Sequence, residues 1–256
     1  MKNKPRVGFF DLETTALLQQ QAVWKLKPCK SCGQISNESF GGIVVEGNED
    51  NLHSIGMSVG AVRDASKAHT YTYDEEHAKG LIAHLHRLDL VVGYNIRKFD
   101  YIVLEQYGGT MLKHLPTFDM FLEVQHLTGE RISLANIVKR TLNIDVPKLG
   151  AAAVDKWWNE EKQEVIDYCK SDVEITQKVF YHACKAGYLS YWDWSERGIV
   201  SIDTDDWADK CRLITQSEVP QVKCPVKEMQ FSNYTEEFWT MNPGDFDPAT
   251  NVLESS

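Results

Sequence analysis

The chain has 256 residues, 43% of them hydrophobic and 25% charged, which is the composition of a globular protein with one large domain or two small ones. A net charge of −10 argues against broad, non-specific binding of nucleic acid through a basic surface. No apolar run is long enough to span a bilayer and the N-terminus lacks the features of a signal peptide, so we expect a cytoplasmic protein without a membrane segment.

Apolar and alternating runs predict strands, and amphipathic patterns predict helices. The strands are expected at 7–11, 53–62, 68–73, 89–93 and 116–119. The helices are expected at 75–87, 99–107, 120–127, 134–142 and 162–185, with Ser133 as an N-cap and Gly187 as a C-terminal stop. Three strands come first and then helices and strands alternate, so we predict an α/β fold with helices on a mixed sheet.

The acidic surplus lies mainly near the C-terminus. Residues 201–256 hold 11 Asp or Glu against 4 Lys or Arg, so the rest of the chain is nearly neutral and is able to carry a local basic groove. We predict one domain at 1–206, interrupted by a polar insert at about 16–51. The acidic extension at 207–256 is not expected to be an independent domain, and it is a candidate binding site for a protein partner.

Two carboxylates end the first predicted strand. Asp11 and Glu13 are two residues apart, so their side chains point to the same side of the strand. At about 4 Å their charges repel by about 4 kcal/mol at an effective dielectric constant near 20, and a proton, an arginine or a metal cation has to offset this. The alternative is a solvated strand end, because the same spacing recurs at Asp74 and Glu76.

Two later segments supply further polar groups. In DLVVGYNIRKFDYIVL an apolar strand delivers Asn95, and the next helix opens at Asp100 with Phe99 beside it, at the kind of strand end where α/β sheets bind ligands. In EVIDYCKSDVEITQKVF, Tyr168 and Asp172 are four residues apart and therefore share one helical face. Taken singly, Asp100 is equally an ordinary helix N-terminal acid, and the second pair is equally a packed tyrosine beside a surface aspartate.

Together, the three segments resemble the DEDD superfamily of 3′–5′ exonucleases, the DnaQ-like group of the ribonuclease H-like fold. The matching motifs are D-x-E at Asp11 and Glu13, N-x-x-x-[FY]-D from Asn95 to Asp100, and Y-x-x-x-D from Tyr168 to Asp172. The tyrosine, where other members have histidine, is typical of the DEDDy branch. The similarity is to bacterial stand-alone or helicase-associated members and covers about residues 6–207, whereas the insert and the C-terminal extension depart from it.

The resemblance implies a ribonuclease H-like, mixed five-stranded sheet with helices on both faces: three antiparallel strands, then alternating helix and strand. It also implies a hydrolase that shortens DNA or RNA from the 3′ end and releases nucleoside 5′-monophosphates with two cations about 4 Å apart. The implied catalytic residues are Asp11, Glu13, Asp100, Tyr168 and Asp172, and the four acids among them are the implied metal ligands. Hard oxygen ligands favour Mg²⁺ or Mn²⁺. Tyr168 is expected to orient the attacking water, because an unperturbed pKa of about 10 makes it a poor base.

Further side chains are expected to contact the substrate, which we expect to be a single-stranded 3′ end. The resemblance places Thr14 and Asn95 near the terminal nucleotide and Phe99 against its base. Lys148 is a candidate phosphate contact, although isolated lysines are often only solvated. Asp119, at the end of PTFD, resembles an acid that many family members carry there, and we expect it to have a supporting or structural role.

Other features carry weaker signals. Cys29 and Cys32 have the spacing of half a zinc site, but no second C-x-x-C exists, so a zinc site is not favoured. Trp157 and Trp158 are expected to pack in the core and at its edge. Two alternatives to the exonuclease stay open: a structure-specific endonuclease on the same fold, and a non-catalytic nucleic-acid-binding or adaptor module. The presence of all four acids favours an enzyme, and the motifs do not choose between DNA and RNA.

Overall fold

The computed structural model describes residues 5–18, 44–45, 52, 55–67, 69–147 and 149–216. The zinc prediction at Cys29 and Cys32 and the phosphate contact at Lys148 lie outside the described residues, as do most of the insert and of the C-terminal extension. The domain boundaries therefore stay predictions. Among the described helices, none combines the length and the apolar character that a membrane crossing requires.

Five of the described strands form one mixed sheet. In chain order the strands are β1 (Val7–Thr14), β2 (Leu17–Leu18), β3 (Val44–Val45), β4 (Met57–Asp64), β5 (Thr70–Asp74), β6 (Leu90–Gly93), β7 (Thr117–Asp119), β8 (Tyr188–Asp193) and β9 (Gly198–Asp203). The sheet order is β5-β4-β1-β6-β7, with β4 antiparallel to both β1 and β5, and with β6 parallel to both β1 and β7. The predicted α/β fold is confirmed, with a mixed five-stranded sheet built from three antiparallel strands followed by alternating helices and strands. β2 and β3 form a short parallel pair, and β8 and β9 form a separate hairpin.

Seven α-helices are described. They are α1 (Ala78–Leu85), α2 (Asp100–Leu104), α3 (Met120–Thr128), α4 (Leu134–Thr141), α5 (Ala151–Trp158), α6 (Lys162–Ala186) and α7 (Trp207–Gln216). The predicted caps are confirmed: the Ser133 hydroxyl accepts a hydrogen bond from the Asn136 N–H, and Gly187 ends α6 in the left-handed conformation with φ 75°. The predicted helix at 99–107 is shorter than expected, because a wider turn at Glu105–Gly109 follows α2 and Gly108 there has φ 98°.

Helices cover both faces of the sheet, as predicted. On one face α1 and α2 pack against a core that includes Phe10 and Leu12 of β1. On the other face α3 to α7 pack against a core that includes Phe9 of the same strand. The long helix α6 crosses this second face, where Phe180 meets Phe9 edge to face at 5.6 Å between ring centroids. Alternation along β1 therefore decides which side chains face α6.

Three further features differ from the predictions. β1 continues to Thr14, because it pairs with β4 from Gly8 to Thr14, so both Asp11 and Glu13 lie within the strand and not at or beyond its end. The hairpin of β8 and β9 was not predicted. α7 was not predicted either, and its first residue, Trp207, is fully buried with its ring centroid 5.0 Å from that of Phe118.

Candidate metal centre

Asp11 and Glu13 point from β1 towards α6. They have the same parity along the strand as Phe9, which packs against that helix, whereas Leu12 belongs to the opposite core. The thiol of Cys169 on α6 lies 3.6 Å from the carbonyl oxygen of Asp11 and 4.0 Å from its Oδ2. The two carboxylates therefore enter the space between the sheet and the long helix, as the predicted alternation requires.

Asp100 reaches the same place because β1 is longer than its neighbour. The parallel pairing of β1 with β6 covers only Val7–Phe9, so the later N–H groups on that side of β1 have no partner strand. The Leu12 N–H donates a hydrogen bond of 3.0 Å to Asp100 Oδ1, and this bond is buried. The point at which the strands diverge thus brings the first residue of α2 beside Asp11.

The long helix supplies the remaining groups. Asp172 offers a carboxylate oxygen, as do Asp11 and Glu13, and these three oxygens all lie within 4.8 Å of one another. Tyr168 lies one turn earlier on the same face, and its phenol is within hydrogen-bonding reach of the Asp172 carboxylate. The structure therefore brings together all five residues that the motifs predict as catalytic, and three of the acids form a group that is able to bind a divalent metal.

Burial and mutual repulsion raise the pKa values of the acids. For Asp11 the pKa is well above its ordinary value because of burial first, and then because of the charges of Asp100, Asp172 and Glu13. Burial, followed by the charges of Asp172 and Asp100, raises the pKa of Glu13 to about 8. Burial also raises the pKa of Asp100 to about 8 and that of Asp172 to about 6. The metal-free cluster therefore holds protons near neutral pH, and a cation that displaces them would relieve the repulsion.

The donor set fits a hard divalent cation. The Asp172 Oδ1 atom is buried and has no hydrogen-bond partner among the described residues. Within that same part of the chain, no lysine or arginine lowers the pKa of any of the four acids. Carboxylate oxygens without a basic partner are the ligands that Mg²⁺ and Mn²⁺ prefer. An unsatisfied buried oxygen in such a group is accounted for by a metal ligand role.

Asp119 holds the turn that leads from β6 to Asp100. Its carboxylate is buried and accepts hydrogen bonds from the N–H groups of Asn95 (2.7 Å), Arg97 (3.0 Å) and Phe121 (3.1 Å). It also caps α3. Asn95 adopts φ 68°, and its Oδ1 is buried without a partner among the described residues. Asp119 thus has the structural role expected of it, and the predicted substrate contact of Asn95 stays a prediction.

The other predicted substrate contacts stay predictions. The Thr14 hydroxyl donates to the carbonyl oxygen of Ala16 at 2.9 Å, so it already has a local partner. Phe99 is partly buried directly before α2, where it packs against both the α1–α2 core and a small cluster next to the end of β1. Lys148, as stated, lies outside the described residues.

Sequence reasoning missed the position of two further side chains. Cys169 is fully buried, and its thiol lies against Asp11. Burial raises the pKa of this thiol, so it stays neutral. Trp158 was expected to pack at the core edge, yet 52% of it is exposed, while Trp157 is buried as predicted. The place of Cys169 directly after Tyr168 in the sequence is the signal that could have predicted its position near the acids. No pattern in the sequence predicts which of Trp157 and Trp158 is buried.

Comparisons with known proteins add little to this geometry. No family model matches the chain, and no curated protein matches it either. Among solved structures, the chain is similar to the family B DNA polymerase from the hyperthermophilic archaeon Pyrobaculum calidifontis, with a TM-score of 0.48 and 15% sequence identity. The similarity covers 70% of this chain and 24% of the polymerase, so the chain spans about a quarter of the polymerase's length. Because this likeness is weak, the function is inferred from the side chains of the site.

Proposed function

We propose that the protein is a metal-dependent 3′–5′ exonuclease, a hydrolase that shortens nucleic acid from its 3′ end and releases nucleoside 5′-monophosphates. The observation that carries this proposal is the convergence of acids from three distant segments: Asp11 and Glu13 on β1, Asp100 on α2, and Asp172 on α6. One buried and three partly buried carboxylates in one place destabilise the folded chain unless a ligand of opposite charge binds them. A purely structural role does not explain such a group.

The four acids are the residues that would hold Mg²⁺ or Mn²⁺. Two divalent cations would balance four negative charges, and when bound they supply Lewis acidity towards the phosphodiester and towards water. Asp11, Glu13 and Asp172 already offer oxygens to one position. Asp100 is held beside them by the Leu12 N–H, so its orientation does not depend on the ligand.

Tyr168 would orient the attacking water. Burial first, and then the negative charge of Asp172, raises the pKa of its phenol far above 10, so the group stays protonated at neutral pH. A protonated phenol accepts and donates hydrogen bonds but does not remove a proton from water. The role that fits Tyr168 is therefore positioning, from a place one helical turn before Asp172.

The substrate would approach along the strand ends that surround the acids. Asn95 offers the Oδ1 atom that has no partner among the described residues. Thr14 is the last residue of β1, and Phe99 directly precedes α2. We assign the activity to residues 1–206. The extension at 207–256 begins with α7, which packs against the core through Trp207, and the extension is a candidate for binding a protein partner. The site does not choose between DNA and RNA, since a phosphodiester of either type fits the same acids.

The direct test is a set of 5′-labelled single strands, DNA and RNA, incubated with Mg²⁺, with Mn²⁺ or with a chelator. We expect a ladder that shortens stepwise from the 3′ end only with metal, and free nucleoside 5′-monophosphates as product. The Asp11→Asn variant should be inactive. A matched control is Asp74→Asn, which changes the first acid of an exposed D-x-E and leaves an oxygen to cap the following turn.

Two outcomes would contradict the proposal. Internal cuts that appear before any shortening would assign the chain to the structure-specific endonucleases. Tight binding without cleavage in either metal, unchanged in Asp11→Asn, would assign it to the non-catalytic binding modules. Both results are distinguishable on the same gel when a parallel sample measures binding of the labelled strand.

A further inference from the structure

Trp158 presents an exposed aromatic ring close to the carboxylate strand. It is the last residue of α5, and 52% of it is exposed, although the neighbouring Trp157 is 9% exposed and lies in the core. Single exposed apolar residues are ordinary on protein surfaces, so exposure alone is not informative. The position of the ring relative to β1 is what gives it significance.

The indole is anchored at the end of β1. Its N–H donates a hydrogen bond of 2.8 Å to the carbonyl oxygen of Thr15, which follows the last residue of the strand. Thr15 is two residues beyond Glu13, about 7 Å along an extended chain. Because the N–H already has a protein partner, what remains for a ligand is the apolar face of the ring. The ring therefore lies next to the end of the strand that carries Asp11 and Glu13.

The corner that carries Trp158 is braced. Lys156 of α5 forms ion pairs with Glu161 and Glu164 across the junction to α6. Lys162 Nζ lies 4.8 Å from the ring centroid of the buried Trp157. These contacts fix the end of α5 against the start of α6, the same helix that carries Tyr168 and Asp172. The ring is therefore held in place before any ligand arrives, which reduces the entropy lost on binding.

We infer that Trp158 is a stacking platform for an unpaired base of the nucleic acid whose 3′ end lies at the four acids. This inference rests on the proposed exonuclease function and names the class of substrate. An indole face stacks on any base, so it provides affinity without sequence preference. It needs a base whose own face is free, so it favours single-stranded or frayed 3′ ends over fully paired ones.

The test measures binding separately from cleavage. Asp11→Asn serves as the parent because it should bind without cutting, and the probe is a 5′-fluorescein oligothymidylate followed by fluorescence anisotropy. Adding Trp158→Ala should raise Kd about tenfold or more, as expected for loss of one base–aromatic stack. Trp158→Phe keeps an aromatic face but loses the N–H, and it should stay within about threefold of the parent. Trp194→Ala is the matched control, because this indole is 82% exposed on the β8–β9 hairpin.

A second readout distinguishes stacking from folding. Abasic residues are placed one at a time at the last three positions of the probe. At one of these positions the abasic probe should bind the parent and the Trp158→Ala variant equally, because the base that stacks is missing. A fully paired blunt duplex should bind both proteins with the same Kd. A fold defect would instead weaken the binding of every probe.

The inference is wrong if Trp158→Ala binds the intact single strand as tightly as the parent, if Trp194→Ala weakens binding equally, or if no abasic position removes the difference. Its failure is distinguishable from failure of the proposed function. A chain that shortens labelled strands from the 3′ end, while its Trp158→Ala variant keeps the same KM, refutes only the stacking platform. A chain that neither binds nor cuts single strands refutes both.

Discussion

Replacing Asp11 by asparagine should make the metal-free protein more stable. Its carboxylate belongs to the group whose ligand oxygens lie within 4.8 Å of one another. Two unit charges at that distance repel by about 3.5 kcal/mol at an effective dielectric constant near 20. Because the pKa values of Glu13 and Asp100 are raised to about 8, protons already remove part of this repulsion at neutral pH. We therefore expect the free energy of unfolding to rise by about 1–3 kcal/mol, or the Tm by about 3–10 °C.

The same substitution should remove the response to metal. Thermal unfolding is followed by circular dichroism in a chelator and then in excess Mg²⁺ or Mn²⁺. The parent should gain stability with metal, because an ion that binds only the folded chain shifts the equilibrium by mass action. Asp11→Asn should start from a higher Tm and gain much less. Asp74→Asn, on the exposed surface, should follow the parent in both conditions.

Two results would refute this reasoning. A fall in the Tm of Asp11→Asn in the chelator would mean that the carboxylate is a structural acceptor and that its neighbours do not repel it. A full metal response in the variant would mean that Asp11 is not a ligand. Either result would remove the physical basis for a cluster that needs cations.

Three more predictions concern protons, the phenol and the supporting acid. Burial raises the pKa of Glu13 from 4.5 to about 8 and that of Asp100 to about 8. In a chelator, the contribution of these groups to stability should therefore be complete below about pH 4.5 and lost as the pH rises through 8. Urea unfolding at several pH values checks this, and a rise in stability from these groups over that range would contradict it. Tyr168→Phe should lower kcat by about 10²-fold and change KM and metal affinity by less than about threefold, since only the position of the water is lost. An unchanged kcat in single-turnover assays would exclude this role. Asp119→Asn places an NH₂ group against backbone N–H donors and should cost about 2 kcal/mol in urea unfolding. The exposed Asp145→Asn should stay within about 0.5 kcal/mol of the parent, and equal losses in the two variants would show that the Asp119 bonds are not responsible.

Much of the candidate site could be predicted because local geometry determines it. Alternation along a strand places Asp11 and Glu13 on one side, and the helical repeat places Tyr168 and Asp172 on one face. Asp100 is different, since its place depends on β1 continuing past the pairing with β6 and leaving the Leu12 N–H free. That is a tertiary relation, which the motif resemblance indicated but no local pattern in the chain contains.

The hairpin of β8 and β9 shows why part of the fold was missed. Leu189, Ser190 and Tyr191 are buried in succession, so the strand has no period-two pattern of apolar residues. Ser190 tolerates burial because its N–H and carbonyl oxygen both bond to the hydroxyl of Thr141 on α4. The signal for the strand therefore lies in a partner that is distant in sequence.

The same reasoning explains α7. Only Trp207 and Cys211 of this helix are buried, one turn apart, which is too few apolar positions to establish a helical period. The helix is stabilised by the contact of Trp207 with the core, and not by a strong amphipathic pattern.

Burial, and not spacing, distinguishes the candidate metal ligands from ordinary acids. Asp74 and Glu76 have the same D-x-E spacing as Asp11 and Glu13, but both are exposed, and Asp74 caps a helical turn through the His77 N–H. Water screens that pair, so nothing further has to bind there. On β1 the strand continues into the core, and the same spacing forces two charges into a space that α6 closes with a third acid. A sequence that gathers such partly buried charges in one place loses stability there, and such a loss is expected only where the folded chain has to bind a ligand of opposite charge.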